Sequence, residues 1–124
     1  MRVFISGPVS GMPDNNVAAF ATAAYRLRQA GHEVYSPVES IPAKCSHEQA
    51  MLMCLHELSR GDREAYACMN KLFFEPWYDA MVQLDGWQHS NGARLEAEIA
   101  DALGIKRASL REVLENPRLP REDA

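Results

Sequence analysis

Arg2-Val-Phe-Ile-Ser6 is a run of β-branched and aromatic residues, stopped at once by Gly7-Pro8. Apolar side chains on both faces of so short a run predict a strand in the buried centre of a parallel sheet. Gly11, Pro13 and Asp14 extend the turn. From Asn16 the period changes: Val17, Phe20, Ala21, Ala24 and Leu27 fall on one helical face, and Arg26, Arg28 and Gln29 fall elsewhere. Asn16 is the expected N-cap and Gly31 the expected C′ stop. Glu33-Val-Tyr-Ser36 reads as a second strand, ended by Pro37. Strand, glycine turn, helix and strand in this order predict a βαβ unit with a right-handed crossover.

In the middle of the chain, His47–Leu58 and Arg63–Phe74 are expected to be helical, broken at Arg60-Gly61-Asp62 and ended by Pro76. Ala80-Met-Val-Gln-Leu84 is the third strand, with Asp85-Gly86-Trp87 as a sharp exit. Ser90 or Asn91 caps a helix whose expected buried stripe is Leu95, Ile99 and Ala102, and Gly104 closes it. Ile105–Ala108 adds a short final strand, and Leu110–Leu114 a last helical turn or two. The fold class is therefore α/β, with one domain over 1–116 and a polar, proline-punctuated flexible tail over 117–124. No internal repeat is visible.

Length and composition narrow the function classes. A chain of 124 residues suits one domain with one real core, and 47% hydrophobic against 24% charged residues is globular rather than disordered composition. The formal charge of −4 carries no long basic run, which argues against a nucleic-acid polymer as partner. A small phosphorylated ligand needs only a few donors and stays open. Three cysteines, Cys45, Cys54 and Cys68, cannot complete a disulfide framework within one chain. The opening apolar run is too short for a signal peptide, and no stretch approaches a membrane span. No membrane association is expected, and a reducing cytoplasm is the simplest compartment.

Two strand-to-helix junctions carry the candidate chemistry. Ser6-Gly7-Pro8-Val9-Ser10-Gly11 lies at the carboxyl end of the first strand, where ligands of open α/β sheets sit. Its glycines would let the backbone approach an anion, or they serve the turn's own backbone angles. It is neither a dinucleotide fingerprint nor a Walker loop. The second junction, Gly86-Trp87-Gln88-His89-Ser90-Asn91-Gly92, leads into a helix with Glu96 one turn inside it. Glu96 shares a face with the small residues Gly92, Ala93 and Ala100. Held near a helix N-terminus, that carboxylate would stay ionised and attack or stabilise an electron-poor carbon; alternatively it is a routine capping and dipole partner. Cys45-x-His47 and Cys54-x-His56 invite a metal reading. Residues two apart on a helix diverge, however, so buried cysteines and surface histidines are the better expectation. Met51, Met53, Met69, Phe73 and Phe74 read as core or subunit contact, and Trp77 and Tyr78 pack under the sheet or line a pocket.

Taken together, Ile5-Ser-Gly-Pro-Val-Ser-Gly-Met-Pro-Asp14, Asn16–Phe20, Leu27–Val34, Ser36–Glu39, Tyr78–Ala80, Leu84–Trp87, Ser90–Glu96 and Ala102–Gly104 resemble a small branch of the nucleoside 2-deoxyribosyltransferase-like superfamily. The resemblance covers residues 1–39 and 78–105. It implies a flavodoxin-like or Rossmann-like three-layer sandwich with a short, mostly parallel sheet, assembled as a homo-oligomer (dimer or higher). It also implies a pocket for a (deoxy)nucleoside or its 5′-monophosphate, worked without metal or organic cofactor. Glu96 falls on the family's nucleophilic glutamate. By analogy Ser6, Gly7, Pro8, Gly11 and Ser90 hold sugar or phosphate, with Asp85, Trp87 and Gly92 completing the substrate-binding set. The reaction follows the retaining logic of glycosidases.

One departure bears on activity. The family carries an Asp some eight residues before the acidic residue that opens the third strand, here Asp79; counting back lands on Lys71 beside Asn70. Asp62, Glu64 or Glu75 would have to substitute in space. Two functions are therefore expected: hydrolysis or transfer at an N-glycosidic bond, or non-catalytic binding of a nucleotide signal by a sensor or sequestering protein.

Overall fold

The computed structural model describes residues 1–42, 44–61 and 75–117. Among these, β1 (Arg2–Ser6), β2 (Glu33–Tyr35), β3 (Ala80–Gln83) and β4 (Lys106–Ala108) form one parallel sheet of order β2-β1-β3-β4. That is the flavodoxin-like winding, with its topological switch between β1 and β3. The helices are α1 (Val17–Gln29), α2 (Pro37–Ser40), α3 (His47–Leu58), α4 (Asn91–Leu103) and α5 (Leu110–Glu115). The expected helix over 63–74 and the tail from 118 onward lie outside the described residues. No described helix is long and apolar enough to cross a membrane.

Alternation along β1 builds two cores. Val3 and Ile5 face Phe20, Ala23, Ala24 and Leu27 of α1 and Val113 of α5. Phe4 faces the other way, against Cys54 and Leu58 of α3, Tyr78, Met81 and Ala100 of α4. The result is a three-layer α/β/α sandwich. Phe4 stacks on Tyr35 at 5.3 Å between centroids and meets Tyr78 edge-on at 5.6 Å, both favourable aromatic geometries. Asp79 fixes the entry to β3 by accepting the Arg2 N–H at 2.8 Å while its own N–H donates to the Arg2 carbonyl at 2.8 Å.

Three sequence expectations are corrected. Asn16 does not cap α1 with its side chain: it is left-handed, at φ 61°, and its amide donates instead to the Pro8 carbonyl at 2.9 Å. This ties the end of the first loop to its start. The stripe of α1 keeps Phe20, Ala24 and Leu27 buried as expected and is corrected at its edges, with Ala23 buried and Val17 and Ala21 exposed. In α4 the buried face is Ala93, Glu96, Ala97 and Ala100, whereas Leu95 and Ala102 are exposed. α4 presents alanines to the sheet because small side chains permit the closest approach, which moves Leu95 to the flank, whereas α1 buries Phe20 and Leu27 together with two alanines. Ser90 caps α4, accepting the Ala93 N–H at 3.2 Å, and Gly104 ends it at φ 78°.

Candidate functional site

β1 and β3 are adjacent and parallel, so the two glycine-bearing bends that follow them emerge at the same rim of the sheet. The Leu84 N–H donates to the Ser6 carbonyl at 2.8 Å, joining the bends at their bases. A Cβ placed on Gly86 would lie 3.6 Å from Pro8 Cγ, so the bends also touch higher up. Gly7 has a packing reason of its own: a Cβ there would stand 2.8 Å from Leu84 Cβ, closer than side chains tolerate. Gly11 is different, since φ of 80° requires glycine and nothing crowds it.

Glu96 is the centre of the site. It is the sixth residue of α4, one turn past the N–H groups that a capping carboxylate would bind. Its side chain turns inward to the sheet, 5% exposed, and Ser6 Oγ donates to Glu96 Oε1 at 2.8 Å. The second oxygen, Oε2, is buried and makes no hydrogen bond of normal geometry, although the Cys54 thiol lies close enough to the carboxyl group to favour its ionised form. Burial pushes the carboxyl group from an ordinary 4.5 up to about 7, against the opposing pull of the Ser6 hydroxyl and the Cys54 thiol. Burial thus opposes the ionised state expected of a carboxylate near a helix N-terminus. The same desolvation, reinforced by the charge of Glu96, pushes the Cys54 thiol up to about 12.

A separate open groove of about 810 Å³ is lined by Tyr35, Ser40, Leu55, His56, Glu57 and Ile99 among others, and neither Glu96 nor the residues of the two bends line it. Ile99 lies one helical turn from Glu96. The Tyr35 hydroxyl is pushed up to about 12 by burial first and then by Cys54, Glu57 and Glu96. Glu57 accepts the Tyr78 hydroxyl at 2.5 Å.

The remaining expected site residues are distributed around this centre. Ser6, Gly7 and Pro8 are buried, and Gly11 and Asp85 are exposed. Trp87 is half-buried under the Arg107 guanidinium, 5.5 Å from its ring, on the β4 flank. Gly92 lets α4 meet α3, where an added Cβ would lie 3.1 Å from Met51 Sδ. Lys71, Asn70, Asp62, Glu64, Cys68, Met69, Phe73 and Phe74 lie outside the described residues. Cys54 is buried while His56 is exposed, so that pair diverges as its helical spacing implies. Trp77 is sandwiched between the guanidinium groups of Arg2 at 3.9 Å and Arg60 at 4.1 Å rather than lining the groove.

Sequence reasoning missed Tyr35, Glu57 and Gln83, and it placed Cys54 in the interior without linking it to Glu96. For Gln83 a signal existed: it is the one polar residue in Ala80-Met-Val-Gln-Leu84, and a polar group in a buried strand is informative. No curated protein matches the chain. A family profile matches it in two stretches, residues 1–66 and 64–108, so the chain belongs to the family described as a domain of unknown function, DUF4406.

Proposed function

We propose that this protein binds a nucleoside or nucleoside 5′-monophosphate at the rim between β1 and β3 and cleaves or transfers at its N-glycosidic bond through Glu96. One observation carries the proposal: Glu96 is buried, oriented through one oxygen by Ser6, and left with the other oxygen unpartnered. A buried carboxyl group so arranged is costly to keep unless a ligand completes it. In its ionised form Oε2 attacks the anomeric carbon. The carbon–nitrogen bond breaks, and its electron pair leaves with the base, which takes up a proton. Water then attacks the same carbon, loses a proton and frees Glu96; a second base in place of water gives transfer. The exposed Gly11 backbone and the start of α4 suit the phosphate. Leu52 on α3 and Leu95 on α4, exposed at 67% and 39%, support assembly into a homo-oligomer.

The test is base release from a panel of ribo- and deoxyribonucleosides and their monophosphates, followed by chromatography. Release that disappears in Glu96→Gln supports the proposal, and an unchanged panel with wild-type protein overturns the catalytic claim. The second reading, binding without turnover, is favoured by the same burial, which holds much of the Glu96 population protonated below pH 7. It requires that a nucleotide raise the melting temperature and be recovered intact.

A further inference from the structure

Gln83 stands directly beside Ser6, because the β1–β3 register pairs these two residues. Both side chains point to the α3/α4 side. Their neighbours two residues back, Phe4 and Met81, lie in that core, while Ile5 and Val82 lie in the opposite one. Gln83 Oε1 accepts from Arg107 Nη1 at 3.4 Å, which turns the amide nitrogen away from Arg107. That nitrogen, Nε2, is buried and has no partner among the described residues, and neither has Glu96 Oε2. An orphaned donor on Gln83 and an orphaned acceptor on Glu96 therefore both belong to neighbours of Ser6, one by strand register and the other by hydrogen bond. Leaving either buried group unpaired costs more than an apolar side chain would at the same place. The rest of β3 is apolar, so packing does not ask for a glutamine here.

The amide donor on the residue paired with Ser6 matches an alcohol, whose oxygen accepts from Gln83 Nε2 while its hydrogen goes to Glu96 Oε1, the oxygen that Ser6 also holds, leaving Oε2 for the anomeric carbon. We infer that Gln83 is a specificity-determining residue that, with the Glu96 carboxylate, binds the sugar hydroxyl next to the anomeric carbon, so that the site selects ribose over 2-deoxyribose. This rests on the N-glycosidic reading, in which Glu96 faces the anomeric carbon and the neighbouring hydroxyl comes within reach of the strand behind it. Hydrogen bonds to that hydroxyl also strengthen as an oxocarbenium-like centre develops.

Calorimetric titration with ribose 5-phosphate and 2-deoxyribose 5-phosphate tests the inference without turnover. Wild-type protein should prefer the ribose compound by about tenfold, the worth of one satisfied buried hydrogen bond. Gln83→Leu, close in size, and Gln83→Glu, which keeps a partner for Arg107 but no donor, should both reduce the preference to within about twofold. Circular dichroism confirms that each variant is folded. If wild type has no preference, or a folded variant retains it, the inference falls and the N-glycosidic reading stands. If neither sugar phosphate nor any nucleoside monophosphate binds wild type, the reading itself falls and takes the inference with it.

Discussion

Replacing Glu96 by glutamine removes a charge that burial opposes while keeping an oxygen to accept from Ser6. The carboxyl group moves from 4.5 to about 7 on folding. The native state therefore binds this proton more tightly than the unfolded chain does. The stabilisation from the neutral form is complete below about pH 4.5 and is lost as pH rises to about 7. At about 1.4 kcal/mol for each tenfold change in proton affinity, ionising Glu96 in place costs about 3 kcal/mol. Glutamine cannot ionise, so the variant escapes that cost. The stability difference, Glu96→Gln minus wild type, should grow by about 2–3 kcal/mol in favour of the variant between pH 5 and pH 8. Urea denaturation followed by circular dichroism at both pH values measures it, with equal m-values as the check on compactness. Groups titrating elsewhere cancel in the difference. The titratable neighbours Cys54 and Tyr35, both pushed up to about 12, stay neutral throughout. A difference that does not change with pH would refute the argument, since it would mean that Glu96 reaches water.

Three further outcomes are expected. Base release, where it occurs, should rise about tenfold per pH unit below about pH 7 and level off above it, as Glu96 ionises; a flat kcat/KM profile from pH 5.5 to 8.5 would exclude that ionisation. Gly7→Ala should lower stability by about 1–3 kcal/mol in thermal melts, because the new methyl meets Leu84 Cβ at 2.8 Å between adjoining strands. Cys54, buried and pushed up to about 12, should resist a thiol-directed reagent at pH 8 until the chain is unfolded, as read by peptide mass spectrometry; rapid native labelling would contradict its placement.

Periodicity alone determined most of the architecture. The short apolar runs at Arg2–Ser6 and Ala80–Leu84, and the glycine or proline that stops each, are local signals, and they produced β1 and β3 close to their observed bounds. Gly31 and Gly104 marked helix ends because a positive φ is a property of the residue as much as of the fold. The sequence also singled out Glu96 and the two bends, since each lies at a strand-to-helix junction. What it could not decide was which side of α4 meets the sheet. An alanine-lined face buries α4 against the pull of Leu95, while α1 buries Phe20 and Leu27 and leaves Val17 outside. Nor could spacing reveal that Ser6 and Glu96, ninety residues apart, share a hydrogen bond, or that Gln83 stands beside them. Those relations come from the β1–β3 pairing and the depth of α4 against it. Depth then sets the chemistry, because a carboxylate loses its water only when the rest of the chain has closed over it.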